Sequence, residues 1–409
     1  MTDVAAQRDL RVKVKTESHN SISKVTELSY RTASVRTPAR ALFLAARDPL
    51  SESRAIQTPQ YRGINEVYRR ISSAKVDEID SDLDAQRDFQ SRVLLADSPD
   101  QLSSELLITV LSLEERGPDK KWRTWKPTSK QIDYLVDFLC GIPVNNVVVP
   151  PVIPDASGSV YLGFVRQFFQ RLPSHRSVAV AGLVPNVSHR DVGELLSFYR
   201  SLGLTSYVVD FRGKPPTTNW PLLPAFGSHL GFISREHGPH FAHALNARHG
   251  LRRDRSGWVP ARDMLLLTEC FDSFGAPHTI PPMSREFMKK LEEGSIEPAP
   301  PKLFDPQVYG YRAEELSMGA LRARARKLGL EASLPGTAYS QEANRSAICK
   351  VLNAAANAAE CQSLAQQVGK QNEVAYLSEK KAVIAEMGRV REIADAYMGR
   401  HNSRLDDFI

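Results

Sequence analysis

Four groups of polar residues stand where apolar runs end, and their types suit nucleophilic or acid–base chemistry. Glu114 and Glu115 follow LLITVLSL, Gly182 and Leu183 interrupt SVAVAGLVP, Asp210 ends TSYVVD, and Asp272 sits in ECFDSFGAPH. Where parallel strands deliver carboxylates to one end of a sheet, one can attack carbon while another, kept protonated, gives and takes a proton. Taken singly, each of these carboxylates also reads as a cap for the helix that follows it.

The elements that would position them emerge from the apolar pattern. Short runs alternate with helical segments: ALFLAA (41–46) before YRGINEVYRRI, which reads as helical, and LLITVLSL (106–113) before PTSKQIDYLVDFL. Pro127 and Thr128 are placed to start that second helix and Gly141 to end it. NNVVVPPV, SVAVAGLV and TSYVVDF continue the series, with helices SVYLGFVRQFFQRL and HRDVGELLSFYRSLG between them. Val-rich strands alternating with helices predict a parallel sheet in an α/β fold. Counting the segments near 76–80 and 271–274, the series approaches eight strands and predicts a (β/α)8 TIM-type barrel over 37–285. No G-x-G-x-x-G follows a strand, so an open dinucleotide-binding sheet lacks its fingerprint. Residues 1–36 read as a leader with short strands, alternating at Leu10, Val12 and Val14. Residues 212–260 read as an inserted loop or subdomain, 286–311 as a Pro-rich connector, and 312–409 as a helical C-terminal module available for pairing two copies.

Composition narrows the classes further. A hydrophobic fraction of 42% with 24% charged residues describes a globular chain, and 53 Lys+Arg against 47 Asp+Glu leave a net charge of +6 that suits a polyanion without demanding one. Cys140, Cys270, Cys349 and Cys361 are dispersed, which argues against structural zinc and a disulfide scaffold and for a reducing, cytoplasmic compartment. The polar start MTDVAAQRDLRVKVK lacks the apolar core of a signal peptide, and no run approaches membrane-spanning length.

In chain order, the strand-end segments resemble the tRNA-guanine transglycosylase superfamily, particularly its archaeal branch. VLSLEERG resembles the turn whose acid reads the target base, SVAVAGLVPNVSHRD the Gly-Gly-Leu-like turn, and MLLLTECFDSFG the last barrel strand with its Phe-Asp-Ser. The resemblance implies Asp272 as the nucleophile, Glu114 as the base-reading carboxylate, and Gly182 and Leu183 as lining of the base pocket. Asp80, in IDSDLDAQ, falls at the family's Asp-Ser-Gly motif, without its glycine, and would serve as general acid/base. The implied reaction exchanges guanine for a 7-deazaguanine base in tRNA or DNA: a carboxylate on C1′ keeps the backbone intact while the base departs. No cofactor is called for. The target nucleotide must leave its stack, so phosphate contacts are expected. Arg248, Arg252 and Arg253 of the insertion, and Lys120 and Lys121 beside Trp122 and Trp125, are the candidates.

The family's zinc cluster has no counterpart, because no cysteine lies between Cys270 and Cys349, and helices replace the archaeal RNA-binding domain. The missing zinc ligands and the missing glycine of the Asp80 motif favour a second reading: a barrel without catalysis that binds nucleic acid or serves as an assembly subunit. An unrelated barrel enzyme with a small-molecule substrate is a third. His237, His240 and His243 recur at intervals of three, which on a helix would give one metal-binding face, but no carboxylate or cysteine completes the set. No metal site is expected.

Overall fold

The computed structural model describes residues 10–91 (apart from 20, 46–47 and 49), 102–119, 121–142, 145–172, 178–219, 222–250, 257–279, 293, 300–314 and 316–399. The chain opens with an antiparallel sheet, β1 (Arg11–Glu17), β2 (Lys24–Tyr30) and β3 (Ala33–Thr37), in the order β1-β2-β3. It then alternates strand and helix: β4 (Ala39–Arg40), β5 (Leu42–Phe43), α1 (Glu52–Ala55), β6 (Ile64–Ile71), α2 (Ser73–Ser81), α3 (Leu83–Gln90), β7 (Leu106–Arg116), β8 (Trp122–Thr124), α4 (Ser129–Cys140) and β9 (Asn146–Val148). Next come α5 (Gly158–Arg171), β10 (Ala179–Val180), β11 (Gly182–Val184), α6 (His189–Ser201), β12 (Ser206–Asp210), α7 (Leu222–Glu236), β13 (Phe241–Leu245), β14 (Val259–Pro260), α8 (Arg262–Glu269) and β15 (Ser273–Phe274). A hairpin, β16 (Lys302–Asp305) and β17 (Gly310–Ala313), leads into helices α9 (Met318–Lys327), α10 (Arg345–Gly369), α11 (Glu373–Ser378) and α12 (Met387–Tyr397).

This is a mixed α/β fold with parallel sheets. Parallel pairings join β5 to β6, β6 to β7, β7 to β9 and β9 to β10, then β11 to β12, β12 to β13, β13 to β15 and β15 to β4. Ala41 alone separates β4 from β5, and Ala181 alone separates β10 from β11; their N–H groups donate to Phe274 O and Val148 O, each at 2.9 Å. The pairings therefore return to the strand pair from which they began. The antiparallel sheet covers the N-terminal ends of these strands: Tyr30 Oη accepts from Ala179 N–H, Thr32 reaches Asn145, and Val35 packs against Gly63.

Local chemistry explains several element boundaries. Thr128 and Gln131 form a reciprocal capping box at the start of α4, and Gly141 caps its end, as expected from the sequence. Ser157 and Ser188 cap α5 and α6, each side chain accepting from the backbone N–H three residues on, at Val160 and Asp191. Four α-helices, α9 to α12, occupy residues 318–397, preceded by strands β16 and β17 where a Pro-rich connector was expected. The place on the outer face beside β4 and β5 is taken by α10, with Leu42 in one apolar cluster with Ile348, Val351 and Leu352. Among the described residues no helix is long and apolar enough to cross a membrane.

Three sequence expectations are corrected. YRGINEVYRRI is not helical; residues 64–71 form strand β6. Ile64, Val67, Tyr68 and Ile71 are all buried, so a strand covered on both faces presents helix-like spacing instead of alternation. Residues 76–80 lie within helix α2, whose start Ser72 caps, with Val76 and Ile79 on its buried side. Residues 212–260 are not an insertion, because they supply α7 and β13, a regular helix-strand unit of the parallel series.

Gly231 marks the tightest approach between α7 and α12, since a Cβ there would lie 1.9 Å from the Tyr397 carbonyl oxygen. Backbone cannot yield as a flexible side chain does. Gly231→Ala is expected to cost about 1–3 kcal/mol in chemical denaturation by forcing the helices apart, whereas Gly193→Ala, with open space around it, should leave the protein at least as stable.

Candidate functional site

Polar residues occupy the inward positions of several strands. On β6 the alternation that turns Val67 outward turns Glu66 and Tyr68 inward, and both are buried. The Glu66 carboxylate is gripped from across the ring: His243 Nε2 of β13 donates to Oε2 at 2.6 Å, and His278 Nε2 donates to Oε1. His243 Nδ1 shares a 2.9 Å hydrogen bond with Ser273 Oγ of β15. Burial works to raise the Glu66 pKa, but the two imidazoles outweigh it and hold the carboxyl at about 2. Gly275 is required here, because a Cβ would fall 2.0 Å from Glu66 Oε2.

The C-terminal ends of the strands carry the rest. The His278 ring stacks on Tyr68 at 5.2 Å and lies 4.8 Å from Phe43. Its backbone N–H donates to Asn246 Oδ1 at 2.8 Å, and Asn246 Nδ2 donates to Asp210 Oδ1 at 2.9 Å. Asp210, at the end of β12, also accepts from Arg212 N–H at 2.9 Å; burial raises its pKa against those hydrogen bonds. Arg212 bonds Asp155 at 2.8 Å. Asp155, Arg212 and Asn246 all have positive φ, at 59°, 52° and 56°, so strained backbone gathers at this end. Glu114, at the end of β7, accepts from Arg70 Nε at 3.0 Å and Ser112 Oγ at 2.7 Å. Arg70 in turn lies over exposed Trp122, 4.6 Å from the ring centroid. The group combines three carboxylates, an oriented imidazole and stacking rings, a set that suits a flat ligand rich in N–H donors.

The other expected site residues lie elsewhere. Asp272 enters β15 from its N-terminal side, wholly buried beneath the antiparallel sheet. Its Oδ2 accepts from Ala242 N–H at 2.8 Å, and Lys24 Nζ of β2 stands 3.5 Å from Oδ1 while donating to His240 O. Burial raises the pKa of Asp272 and lowers that of Lys24, and each charge works against the other's shift. Asp80 sits on α2 in the outer helix layer, 2.6 Å from Lys130. The three carboxylates Asp80, Glu114 and Asp272, expected to meet, therefore do not: a helix carries one outward, and the strand direction puts another at the closed end.

Gly182 faces outward onto the Tyr199 ring, 2.8 Å from where its Cβ would be, and Leu183 is buried in β11 with its carbonyl accepting from Tyr199 Oη at 2.6 Å. Neither lines the strand-end group. Arg248 borders a cavity on the outer side of the strands, and Lys121 lies on the β7–β8 hairpin near Asp119. Lys120, Arg252 and Arg253 fall outside the described residues. Trp125 is an anchor, its Nε1–H donating to Ile71 O at 2.8 Å. His240 and His243 belong to a loop and a strand, so they share no helical face with His237, and among the described residues no group of three possible ligands could hold a metal. Sequence reasoning missed Glu66, Tyr68, Asn246 and His278. Their signal is an acid and an aromatic at alternate positions of one strand, with Gly275 three residues before His278.

No protein-family model matches the chain, and no curated protein does.

The Glu66 cluster makes a pH-dependent contribution of definite sign. Its folded pKa is depressed, so its stabilisation is fully present above the unfolded value of 4.5 and is lost as pH falls toward about 2. Urea titrations from pH 6 down to 2.5 should show this segment in the native chain and a flattened one in Glu66→Gln, whose stability at pH 7 should drop by roughly 3–5 kcal/mol.

Proposed function

We propose that the closed ring of parallel pairings is a (β/α)8 barrel of the TIM type whose strand-end site exchanges guanine for a 7-deazaguanine base in tRNA or DNA. Active sites of such barrels lie at the C-terminal ends of the strands, where loops bring groups from several strands together. The observation that carries the reading is the junction of His278, held by Glu66, to Asp210 through Asn246, with Glu114 at the same end.

The roles follow from geometry and charge. Glu114 accepts the N1–H and exocyclic amine of the base, as its resemblance to the base-reading acid implied. Phe43, Tyr68 and His278 offer the stacking surface. Asp210 takes the part earlier assigned to Asp272: its carboxylate attacks C1′ as the C–N bond to the departing base breaks, and the covalent ester preserves the backbone. His278, oriented by Glu66 as a carboxylate orients a catalytic imidazole, gives a proton to the departing base and takes one from the incoming base. Arg70, Trp122 and Lys121 stand where flanking nucleotides would pass, a cation beside an exposed ring. A cytoplasmic location suits four cysteines that are all free thiols.

The sealing of Asp272 favours a second reading, a barrel that binds base and nucleic acid without exchanging them. Incubating the protein with tRNA or duplex DNA and radiolabelled guanine or a 7-deazaguanine separates the two. Incorporation is expected in the native chain and in folded Asp272→Asn, with losses of about 100-fold or more in Asp210→Asn and in His278→Ala. Nucleic-acid binding with no incorporation by any form establishes the second reading. Incorporation abolished by Asp272→Asn yet retained by Asp210→Asn would return the chemistry to the closed end.

A further inference from the structure

A cavity of about 300 Å³ lies on the outer side of β4 and β15, between the barrel wall, β17 and α10. It adjoins the strand-end group through Gly275 but lies on the other side of the strand: Phe274 and Arg40 face it, whereas Ser273 turns inward to His243. Its volume is at the lower end for small-molecule sites.

Three deeply buried side chains on its wall each leave a polar atom unsatisfied. Asp263, Asn357 and Arg40 are 6%, 4% and 6% exposed, and among the described residues Asp263 Oδ1, Asn357 Oδ1 and Arg40 Nε have no hydrogen-bond partner. Such atoms are costly unless something occupies the space. Their arrangement is fixed by one hydroxyl: Tyr311 Oη donates to Asp263 Oδ2 at 2.8 Å and accepts from Asn357 Nδ2 at 3.1 Å. Two bare acceptors thus stand on either side of a single oxygen, an arrangement that calls for a group with several N–H donors. Glu52 adds no free acceptor charge, because Arg40 Nη2 reaches both its oxygens at 3.3 and 3.2 Å. Arg248, Lys302 and Lys350 line the same cavity and bring positive charge to it. His249, stacked on Tyr311 at 4.4 Å, is kept neutral by burial, with its pKa lowered to about 3, and forms a flat part of the cavity wall.

We infer that this cavity is a binding site for a small zwitterion of amino-acid size, its ammonium on Asp263 and Asn357 and its carboxylate toward Arg248, Lys302 and Lys350. Bare acceptors and cations on one lining select a molecule carrying both charges, and neither an amine nor an acid alone satisfies both sets; the Arg40 guanidinium near the acceptors is already answered by Glu52. The site uses Arg248, a residue read from sequence as a phosphate contact, for a different anion.

The test uses the full chain and calorimetric titration with each standard α-amino acid, with inorganic phosphate, and with the amine and the carboxylic acid corresponding to any binder. At least one amino acid is expected to bind, with each one-ended analogue weaker by about 10-fold or more. Asp263→Asn and Asn357→Leu should weaken that binder about 10-fold or more, and Lys350→Ala, on the exposed side of α10, should weaken it without changing the melting temperature of the unliganded protein. Absence of any amino-acid binding at millimolar concentration overturns the proposal. So does binding unchanged by Asp263→Asn, or phosphate binding equal to that of the amino acid, which would mark an anion site without an ammonium pocket.

Discussion

A carboxylate inside a ring of strands must be answered by hydrogen bonds or it cannot stay charged. Glu66 is that carboxylate, and two structural requirements converge on it. His243 answers one oxygen and, through its other nitrogen, holds Ser273, so the buried ion ties β6 to β13 and to β15, the strand that completes the pairings. His278 answers the other oxygen and is thereby set upright against Tyr68 at the end of the ring. Gly275 leaves the room in which the carboxylate sits. Closure of the fold and orientation of the imidazole at its mouth are one arrangement.

The two ends of the parallel strands are chemically different because of what covers them. At the N-terminal end, β1–β3 lie across the strand starts, and Lys24 descends into a space it shares with Asp272. Burial presses both groups toward neutrality, and their mutual attraction resists it, the balance of a buried ion pair that joins two sheets. At the C-terminal end Asp210 is equally buried, yet its partners are an amide and a backbone N–H, neither of which carries a charge. Asp272 faces a buried lysine, whereas Asp210 faces neutral donors while burial raises its pKa. The same residue type thus takes different parts according to which end its strand presents.

Much of the framework could be read from the chain. The runs ending in Glu114, Val184 and Asp210 are strands, and the α4 boundaries follow from Thr128, Gln131 and Gly141. Strand β6 was hidden because its inward positions carry Glu66 and Tyr68 and its outward ones are also covered, which erases the alternation that identifies a half-buried strand. The 212–260 segment was misread because histidines look like loop residues, whereas His243 is a ligand of Glu66 inside the ring. Glu114 and Asp210 were visible as strand-end acids. The imidazole pair was not, since His243 and His278 lie 177 and 212 positions from their carboxylate, and no local pattern records a contact of that separation.

Backbone geometry sets the same end apart independently of charge. Outside glycine, six described residues have positive φ, and three of them, Asp155, Arg212 and Asn246, follow directly on the strand series at its C-terminal side. An asparagine or aspartate tolerates this conformation, but an arginine does so only when its surroundings hold it there. Arg212 is held at both ends, its N–H on Asp210 and its guanidinium on Asp155. That clamp presents Asp210 and keeps Asn246 between it and His278. The residues that carry the strained backbone are the ones that join Asp210 through Asn246 to the His278 backbone N–H.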